Sequence, residues 1–174
     1  MKILNNLIIG RRVCGNIIKK HHTILDLGCG KGVWGDFAKG RAFCGIDIDI
    51  KHNPEHYLSM NYANLDKYFP FYRIGKFDLV IAKDIIEHLD KPEQTLKEIH
   101  RVLQTGGELI VKVPDWRSKN AWEDYTHKKP YTKNSIQNLL KDNGFTITKV
   151  VRLGGHFLPS MFPQAFSWMV IATK

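Results

Sequence analysis

The stretch ILDLGCGKGVWG, residues Ile24 to Gly35, determines the predicted fold of the chain. Its first half is apolar and predicts a buried strand over Thr23–Leu27. Three alternating glycines, Gly28, Gly30 and Gly32, end that strand, and a helical pattern follows them from residue 33. Glycine lets the backbone turn sharply and approach a ligand closely because it has no Cβ. The stretch therefore predicts a strand, a ligand-binding turn and a helix.

Two aspartates indicate what kind of ligand the turn binds. A dinucleotide site has the pattern G-x-G-x-x-G and places a pyrophosphate on a helix N-terminus. Here Val33 occupies the third glycine position, and the order is D-x-G-x-G-x-G from Asp26. A carboxylate beside the turn suits a cationic ligand better than a pyrophosphate. Asp47 ends a second strand pattern over 43–47, at the position that binds ribose hydroxyls in nucleotide-binding sheets; the alternative is an acidic turn residue.

The composition is that of one domain with a single core. The chain has 174 residues, of which 43% are apolar. Cys14, Cys29 and Cys44 form no C-x-x-C pair, and their odd number argues against a secreted disulfide framework, so we expect a reducing, cytoplasmic compartment. The net charge of +9 favours a polyanionic partner such as RNA or an anionic membrane surface. Solubility alone is the other explanation of this charge.

The two ends of the chain are more apolar than charged. Residues 1–20 predict an amphipathic helix that covers the first strand rather than a signal peptide, because Arg11 and Arg12 interrupt the apolar residues. Residues 153–173 contain no Lys, Arg, Asp or Glu. A membrane span is one interpretation, but Pro159 and Pro163 would break a lipid-exposed helix. We favour an apolar loop followed by a final antiparallel strand over 166–172.

The centre of the chain alternates strand and helix patterns. A loop and a short helix over 49–57 precede a third strand at 57–60, and continuous apolar residues predict a buried strand over 77–82. An amphipathic helix from Pro92 to 103, a Gly106-Gly107 turn and a strand over 108–113 follow. A helix over 134–142 ends at Asn143-Gly144 and leads into a strand over 145–151.

These blocks together resemble the class I S-adenosylmethionine-dependent methyltransferases, in particular the type 11 and quinone-biosynthetic kind. The resemblance covers 22–152 and rests on DLGCGKG, EHL, LKEIHRVL and GGELIVKVP in that order. It implies an α/β, three-layer Rossmann-like fold with a mostly parallel seven-stranded sheet and an antiparallel last strand. It also implies a single domain over 1–174, in which 1–20 cover the sheet, 22–152 form the core and 153–174 form the apolar loop and final strand.

The resemblance further implies S-adenosylmethionine as the methyl donor and a set of residues that bind it. Asp26 and the glycine turn would hold the methionine end, Asp47 the ribose, Asn61 and Tyr62 the adenine, and the Lys83 backbone the amino acid group. Asn61 stands where relatives carry Asp, but an amide oxygen can still accept a hydrogen bond from the adenine amino group. The complete set is Asp26, Gly28, Cys29, Gly30, Gly32, Asp47, Ile48, Asn61, Tyr62 and Lys83.

Four polar residues after the fourth and fifth strands are candidates for the chemistry. Methyl transfer is an in-line displacement, so the protein aligns donor and acceptor and, for a hydroxyl acceptor, removes or polarises a proton. Asp84, Glu87 and His88 are spaced i, i+3 and i+4, which is one face of a helix. His127 follows the fifth strand, where family loops cover the acceptor. His127 and His88 are therefore the candidate general bases.

Two interpretations of these residues compete. In one, Asp84, Glu87, His88 and His127 gather around a divalent cation such as Mg²⁺, which polarises an acceptor hydroxyl, as the resemblance to quinone-ring O-methyltransferases implies. In the other, Asp84 caps a helix and Glu87 completes a capping box, while His88 packs under the sheet edge. The second explains two residues without a ligand, and we favour it. For His127 the alternative to a base is a structural hydrogen bond.

The sequence thus predicts a methyltransferase that acts on an oxygen atom of a small molecule. An apolar acceptor would lie against Phe157, Met161, Phe162 and Trp168. RNA methylation is one alternative, because 116–131 is both basic and aromatic, although we favour a solvated lid as the explanation of that segment. A catalytically silent S-adenosylmethionine-binding partner subunit is another alternative. The presence of Asn61, where relatives carry Asp, permits it.

Overall fold

The computed structural model describes residues 2–50, 56–70, 72–154 and 166–174, and for residues 2–9 the backbone alone. Five α-helices are present in these ranges: α1 (Lys2–Ile18), α2 (Gly35–Ala38), α3 (Pro92–Val102), α4 (Asn120–Glu123) and α5 (Lys133–Asp142). Seven strands alternate with them: β1 (Thr23–Leu27), β2 (Ala42–Asp47), β3 (Ser59–Tyr62), β4 (Phe77–Lys83), β5 (Leu103–Pro114), β6 (Thr146–Gly154) and β7 (Phe166–Thr173).

The strands form one sheet in the order β3-β2-β1-β4-β5-β7-β6. Strands β1 to β5 are parallel to one another, and β7 runs antiparallel to both β5 and β6. The order reverses between β1 and β4, the kind of position at which open α/β sheets bind ligands. The predicted α/β, Rossmann-like fold with an antiparallel last strand is confirmed.

Helices cover both faces of the sheet, which explains the continuous apolar strands. On β4, Val80 and Ala82 pack in the core beneath α3 and α5, whereas Leu79 and Ile81 pack in the core beneath α1 and α2. All four side chains are fully buried. Because successive side chains point to opposite faces, a strand buried on both sides needs no polar alternation.

Several boundaries differ from those the sequence predicts. The helix expected from residue 33 is only the short α2, β3 begins at Ser59 instead of 57, and β5 begins at Leu103, directly after α3. The helix expected from Asp84 is wrong: the chain forms a single 3₁₀ turn over Ile86–His88. Residues 51–55 of the predicted loop and short helix lie outside the described residues.

The apolar C-terminal segment ends in strand β7, as predicted. Gly155, Phe157, Pro159, Met161, Phe162 and Pro163 of the predicted loop lie outside the described residues. Of the helices that the described part of the chain forms, none is long and apolar enough to cross a membrane.

Gly28 lies directly after β1 and close to the side chain of Ile85. Its φ of +67° lies in the left-handed region, and a Cβ added there would lie 2.7 Å from Cδ1 of Ile85. Gly40 offers a comparison, because its φ is +75° but nothing lies within 4 Å of an added Cβ. The two glycines share the backbone requirement and differ only in the space available to a side chain.

We expect Gly28→Ala to destabilise the fold more than Gly40→Ala does. Both variants incur the cost of a left-handed alanine, about 1–2 kcal/mol. Gly28→Ala adds the displacement of Ile85, roughly 1 kcal/mol more. The free energy of unfolding in urea measures both variants against the parent, and equal losses would contradict the contact.

Candidate active site

The candidate site lies where the carboxyl ends of β1, β2 and β4 meet. Register pairs Leu27 of β1 with Ile46 of β2 on one side and with Ala82 of β4 on the other. The glycine turn after β1, Asp47 at the end of β2 and Lys83 at the end of β4 therefore lie along one edge of the sheet. Three predicted donor-binding positions that are far apart in sequence are brought together by this register.

Hydrogen bonds to β2 hold the glycine turn. Gly28 N donates to the Ile46 carbonyl at 2.8 Å, and Gly30 N donates to one carboxylate oxygen of Asp47 at 2.7 Å. The other Asp47 oxygen accepts the Asp49 N–H at 2.8 Å. Asp47, predicted only as a ribose ligand, thus also orders the turn.

Asp26 is buried at the tip of β1, with 2% of its surface exposed. Its carboxylate accepts a 2.7 Å hydrogen bond from the Tyr57 hydroxyl. Burial raises the pKa of Asp26 to about 7, against the opposing effects of the Tyr57 hydrogen bond and the Lys83 charge. The sequence did not predict a role for Tyr57, because it lies 31 residues from Asp26 and belongs to no recognisable motif.

The remaining residues predicted to bind the methyl donor differ in which of their atoms are exposed. Cys29 is buried and its sulfur lies against Gly45, so only its backbone faces the turn. Ile48 and Tyr62 are exposed. Asn61 donates from its amide nitrogen to the Tyr72 hydroxyl at 2.7 Å, an arrangement that leaves its carbonyl oxygen as an acceptor.

Asp84 does not cap a helix. Its φ of +54° is left-handed, and its carboxylate contacts Lys83 at 2.7 Å and Lys112 at 2.5 Å. Burial alone would raise the pKa of Asp84, but these two ammonium groups hold it below its ordinary value. The residue before the 3₁₀ turn is Ile85 and no side chain caps it, so the predicted capping box is wrong.

Glu87, His88 and His127 form a cluster in which one ligand atom from each residue lies within 4.8 Å of the other two. Glu87 is 1% exposed, and neither of its carboxylate oxygens has a hydrogen-bond partner in the described part of the chain. Burial raises the pKa of Glu87 to about 8. The structure thus joins three of the four predicted metal ligands and assigns Asp84 to the two lysines instead.

The segment 115–131 carries His127 to this cluster. Its ends pair with each other, because Asp115 and Tyr131 form a β-bridge, and Lys128 N donates to the Glu87 carbonyl at 2.7 Å. The His127 ring bonds the Ala121 carbonyl through Nδ1 at 3.2 Å, and its centroid lies 4.6 Å from that of His88. The cluster is therefore supported by backbone contacts that no short motif encodes.

Two adjoining cavities flank the Asp84–Lys112 pair. One, of about 570 Å³, borders Glu87, His88, His127 and Tyr125. The other, of about 370 Å³, borders Trp34, which follows the glycine turn, together with Cys14, Leu153 and Met169. Asp84, Lys112, Asn120 and Ser167 border both cavities. A larger cavity of about 740 Å³ lies beside α3, and none of the described residues lining it belongs to the candidate site.

The basic and aromatic side chains of 116–131 lie at the surface, apart from the buried Tyr131. Trp122 and Tyr125 are 64% and 95% exposed. The cations of this segment are largely paired: Arg117 with Asp115, Lys119 with Glu123 and Lys128 with Asp90. Carboxylates thus neutralise much of the charge that suggests RNA.

Comparison with known proteins identifies the family. The model of a family described as a methyltransferase domain matches residues 9–150. An uncharacterized 37.1 kDa protein of a Streptomyces fradiae transposon is 29% identical, over 81% of this chain and 45% of its own. A ubiquinone biosynthesis O-methyltransferase of Pseudomonas paraeruginosa is 25% identical, over 51% of this chain and 43% of its own. The chain spans less than half the length of these two relatives.

Solved structures share the fold. A SAM-dependent methyltransferase from Archaeoglobus fulgidus superposes with a TM-score of 0.78 and 19% identity, covering 100% of this chain and 95% of that one. At this identity the likeness concerns the arrangement of helices and strands, and the site has to be argued from this chain's own residues.

The Asp26–Tyr57 pair provides a direct test of the site's electrostatics. Tyr57→Phe removes a hydrogen bond to the ionised carboxylate, so we expect the pKa of Asp26 to rise by about one unit above the parent value. A pH titration of the Asp26 carboxyl carbon by NMR measures it. Tyr72→Phe is the control, because the Tyr72 hydroxyl bonds Asn61 instead; the same shift in both variants would contradict the assignment.

Proposed function

The chain belongs to the methyltransferase domain family, and we propose that it transfers a methyl group from S-adenosylmethionine to an oxygen atom of a small molecule. The observation that carries the proposal is the joining of two half-sites at one sheet edge. The glycine turn with Asp26 and Asp47 forms the donor half. The cavity beside Glu87, His88 and His127 forms the acceptor half.

In the donor half, each residue has a role that its contacts support. The Asp26 carboxylate lies at the turn, where a cationic sulfonium and ammonium group gain from a negative charge in a poorly solvated place. Asp47 has a lone pair left on each oxygen after accepting one N–H, so it can also accept ribose hydroxyls. The Asn61 carbonyl oxygen and the Tyr62 backbone would bind adenine, and Lys83 the amino acid group.

In the acceptor half, the imidazole of His88 or His127 would take the proton of an acceptor hydroxyl. His88 and His127 border the same cavity, and removing a hydroxyl proton as the methyl group transfers is general base catalysis. The ubiquinone biosynthesis O-methyltransferase is named for an oxygen acceptor, which supports the same atom here. A small molecule is favoured over RNA, because three cations of 116–131 are paired with carboxylates.

A divalent cation held by Glu87, His88 and His127 is the second part of the proposal. The unpartnered, buried carboxylate of Glu87 is the observation that supports it, since such groups are rare without a ligand. One carboxylate and two imidazoles suit Zn²⁺, Mn²⁺ or Fe²⁺ better than Mg²⁺, which prefers oxygen ligands. The bound cation would polarise an acceptor hydroxyl.

Donor binding is the first expectation. Asp26→Asn keeps the size of the side chain and removes its charge, so we expect the affinity for S-adenosylmethionine to fall at least about tenfold in calorimetry near pH 8. Asp36→Asn is the matched control, because Asp36 is a more exposed carboxylate just after the turn. A parent protein that gives no heat with the donor would overturn the proposal.

Acceptor class is the second expectation. With tritiated S-adenosylmethionine, we expect label in the small-molecule fraction of a metabolite extract and none in total RNA. Label confined to RNA would replace the small-molecule assignment. Donor binding without label in either pool, with or without added metal, would instead identify a silent donor-binding subunit.

Metal binding is tested apart from activity. In equilibrium dialysis against Zn²⁺ and Mn²⁺, we expect one bound ion per parent chain and none with Glu87→Gln, whereas Glu123→Gln, which also borders the cavity, keeps the ion. Methyl transfer by the parent should fall with a chelator. An ion-free parent with unaltered transfer would dispose of the metal and leave the transferase proposal in place.

A further inference from the structure

His88 is joined to two residues of 115–131 by a chain of hydrogen bonds that the proposed function does not use. Nδ1 of His88 lies 2.9 Å from the Thr126 hydroxyl oxygen. That hydroxyl lies 2.5 Å from Oδ1 of Asp124. The same Asp124 oxygen also accepts the Thr126 N–H at 2.9 Å. Asp124, Thr126 and His88 therefore form one connected relay.

The number of protons available along this relay determines which ring nitrogen of His88 is protonated. The ionised Asp124 carboxylate has no proton to donate. Two oxygens only 2.5 Å apart require a proton between them, so the single Thr126 hydroxyl proton lies toward Asp124. Thr126 then has only lone pairs left for His88, and Nδ1 of His88 must carry the proton that closes the 2.9 Å contact.

Because Nδ1 carries the proton, Nε2 of His88 is the unprotonated nitrogen. Among the described residues, Nδ1 is the only ring nitrogen of His88 with a recorded hydrogen bond. A neutral imidazole has one donor and one acceptor nitrogen, and the bond made by one fixes the role of the other. The lone pair on Nε2 is thus available to accept a proton or to bind a cation.

We propose that Thr126 and Asp124 are positioning residues that fix His88 as its Nδ1–H tautomer, with Nε2 as the atom that serves the acceptor. As an account of catalysis this rests on the proposed function, but the tautomer itself is a property of the resting protein. The relay joins His88 to a segment of chain more than 30 residues away. Asp124 acts through Thr126, which orients a single ring nitrogen.

The tautomer can be observed without any substrate. In protein labelled with ¹⁵N-histidine and treated with chelator, long-range ¹⁵N–¹H correlation above the titration range of imidazole identifies which nitrogen of His88 is protonated, and His88→Gln assigns its signals. We expect a protonated Nδ1 in the parent and a mixture of tautomers in Thr126→Val. Thr126→Ser, which keeps the hydroxyl, should restore the parent pattern.

The kinetic consequence distinguishes a positioning role from a merely structural one. If the transferase proposal holds, Thr126→Val should lower kcat by about 10- to 100-fold, with little change in KM for the methyl donor. Such a loss is usual when a histidine that binds a metal loses its hydrogen-bond partner. Thr126→Ser should recover most of the rate. Glu98→Gln is the control for the loss of a carboxyl charge, because Glu98 borders the larger cavity beside α3, outside the candidate site and outside the relay.

The outcomes separate the two claims. A parent in which Nε2 of His88 carries the proton, or a Thr126→Val protein that retains the parent tautomer, overturns the relay whatever the activity. The expected tautomer pattern in a parent that transfers no methyl group supports the relay and refutes the transferase proposal.

Discussion

The burial of β1 between two parallel neighbours is the constraint on which the rest of the structure depends. Its side chains are buried on both faces, and its backbone groups must therefore bond to β2 on one edge and β4 on the other. Parallel pairing brings the carboxyl ends of three strands to one edge. A chain that leaves this strand has to turn at once, and the glycine turn, the Asp47 carboxylate and Lys83 are consequences of that single geometry.

The sequence was informative wherever the fold depends on short-range pattern. Continuous apolar runs predicted β1 and β4 because those strands are buried on both faces, and Asn143-Gly144 correctly ended α5, with Gly144 at a φ of +88°. The pattern failed after β4, where helical spacing suggested a cap. Asp84 instead neutralises Lys83 and Lys112, which are register neighbours on β4 and β5, and that pairing exists only in the folded sheet.

The candidate site likewise contains some residues that the sequence predicts and others that it does not. The glycine turn and Asp47 were found from local sequence, since donor binding relies on backbone geometry that few residues permit. Tyr57 and Thr126 were missed, because each acts on a residue more than 30 positions away and belongs to no motif. Partners of this kind are set by tertiary contact, and a single sequence contains no signal that distinguishes them from any other tyrosine or threonine.

This division bears on how the chain selects its acceptor. The donor half is built from strand ends, whose positions the sheet fixes, whereas the acceptor half depends on the segment 115–131. A β-bridge between Asp115 and Tyr131 joins the two ends of this segment, and the Lys128 N–H bonds it to the Glu87 carbonyl. Substitutions within that segment can change the cavity without disturbing β1. The donor site can therefore stay constant while the acceptor changes, so the identity of the acceptor follows from the side chains around His88 and His127 rather than from the fold.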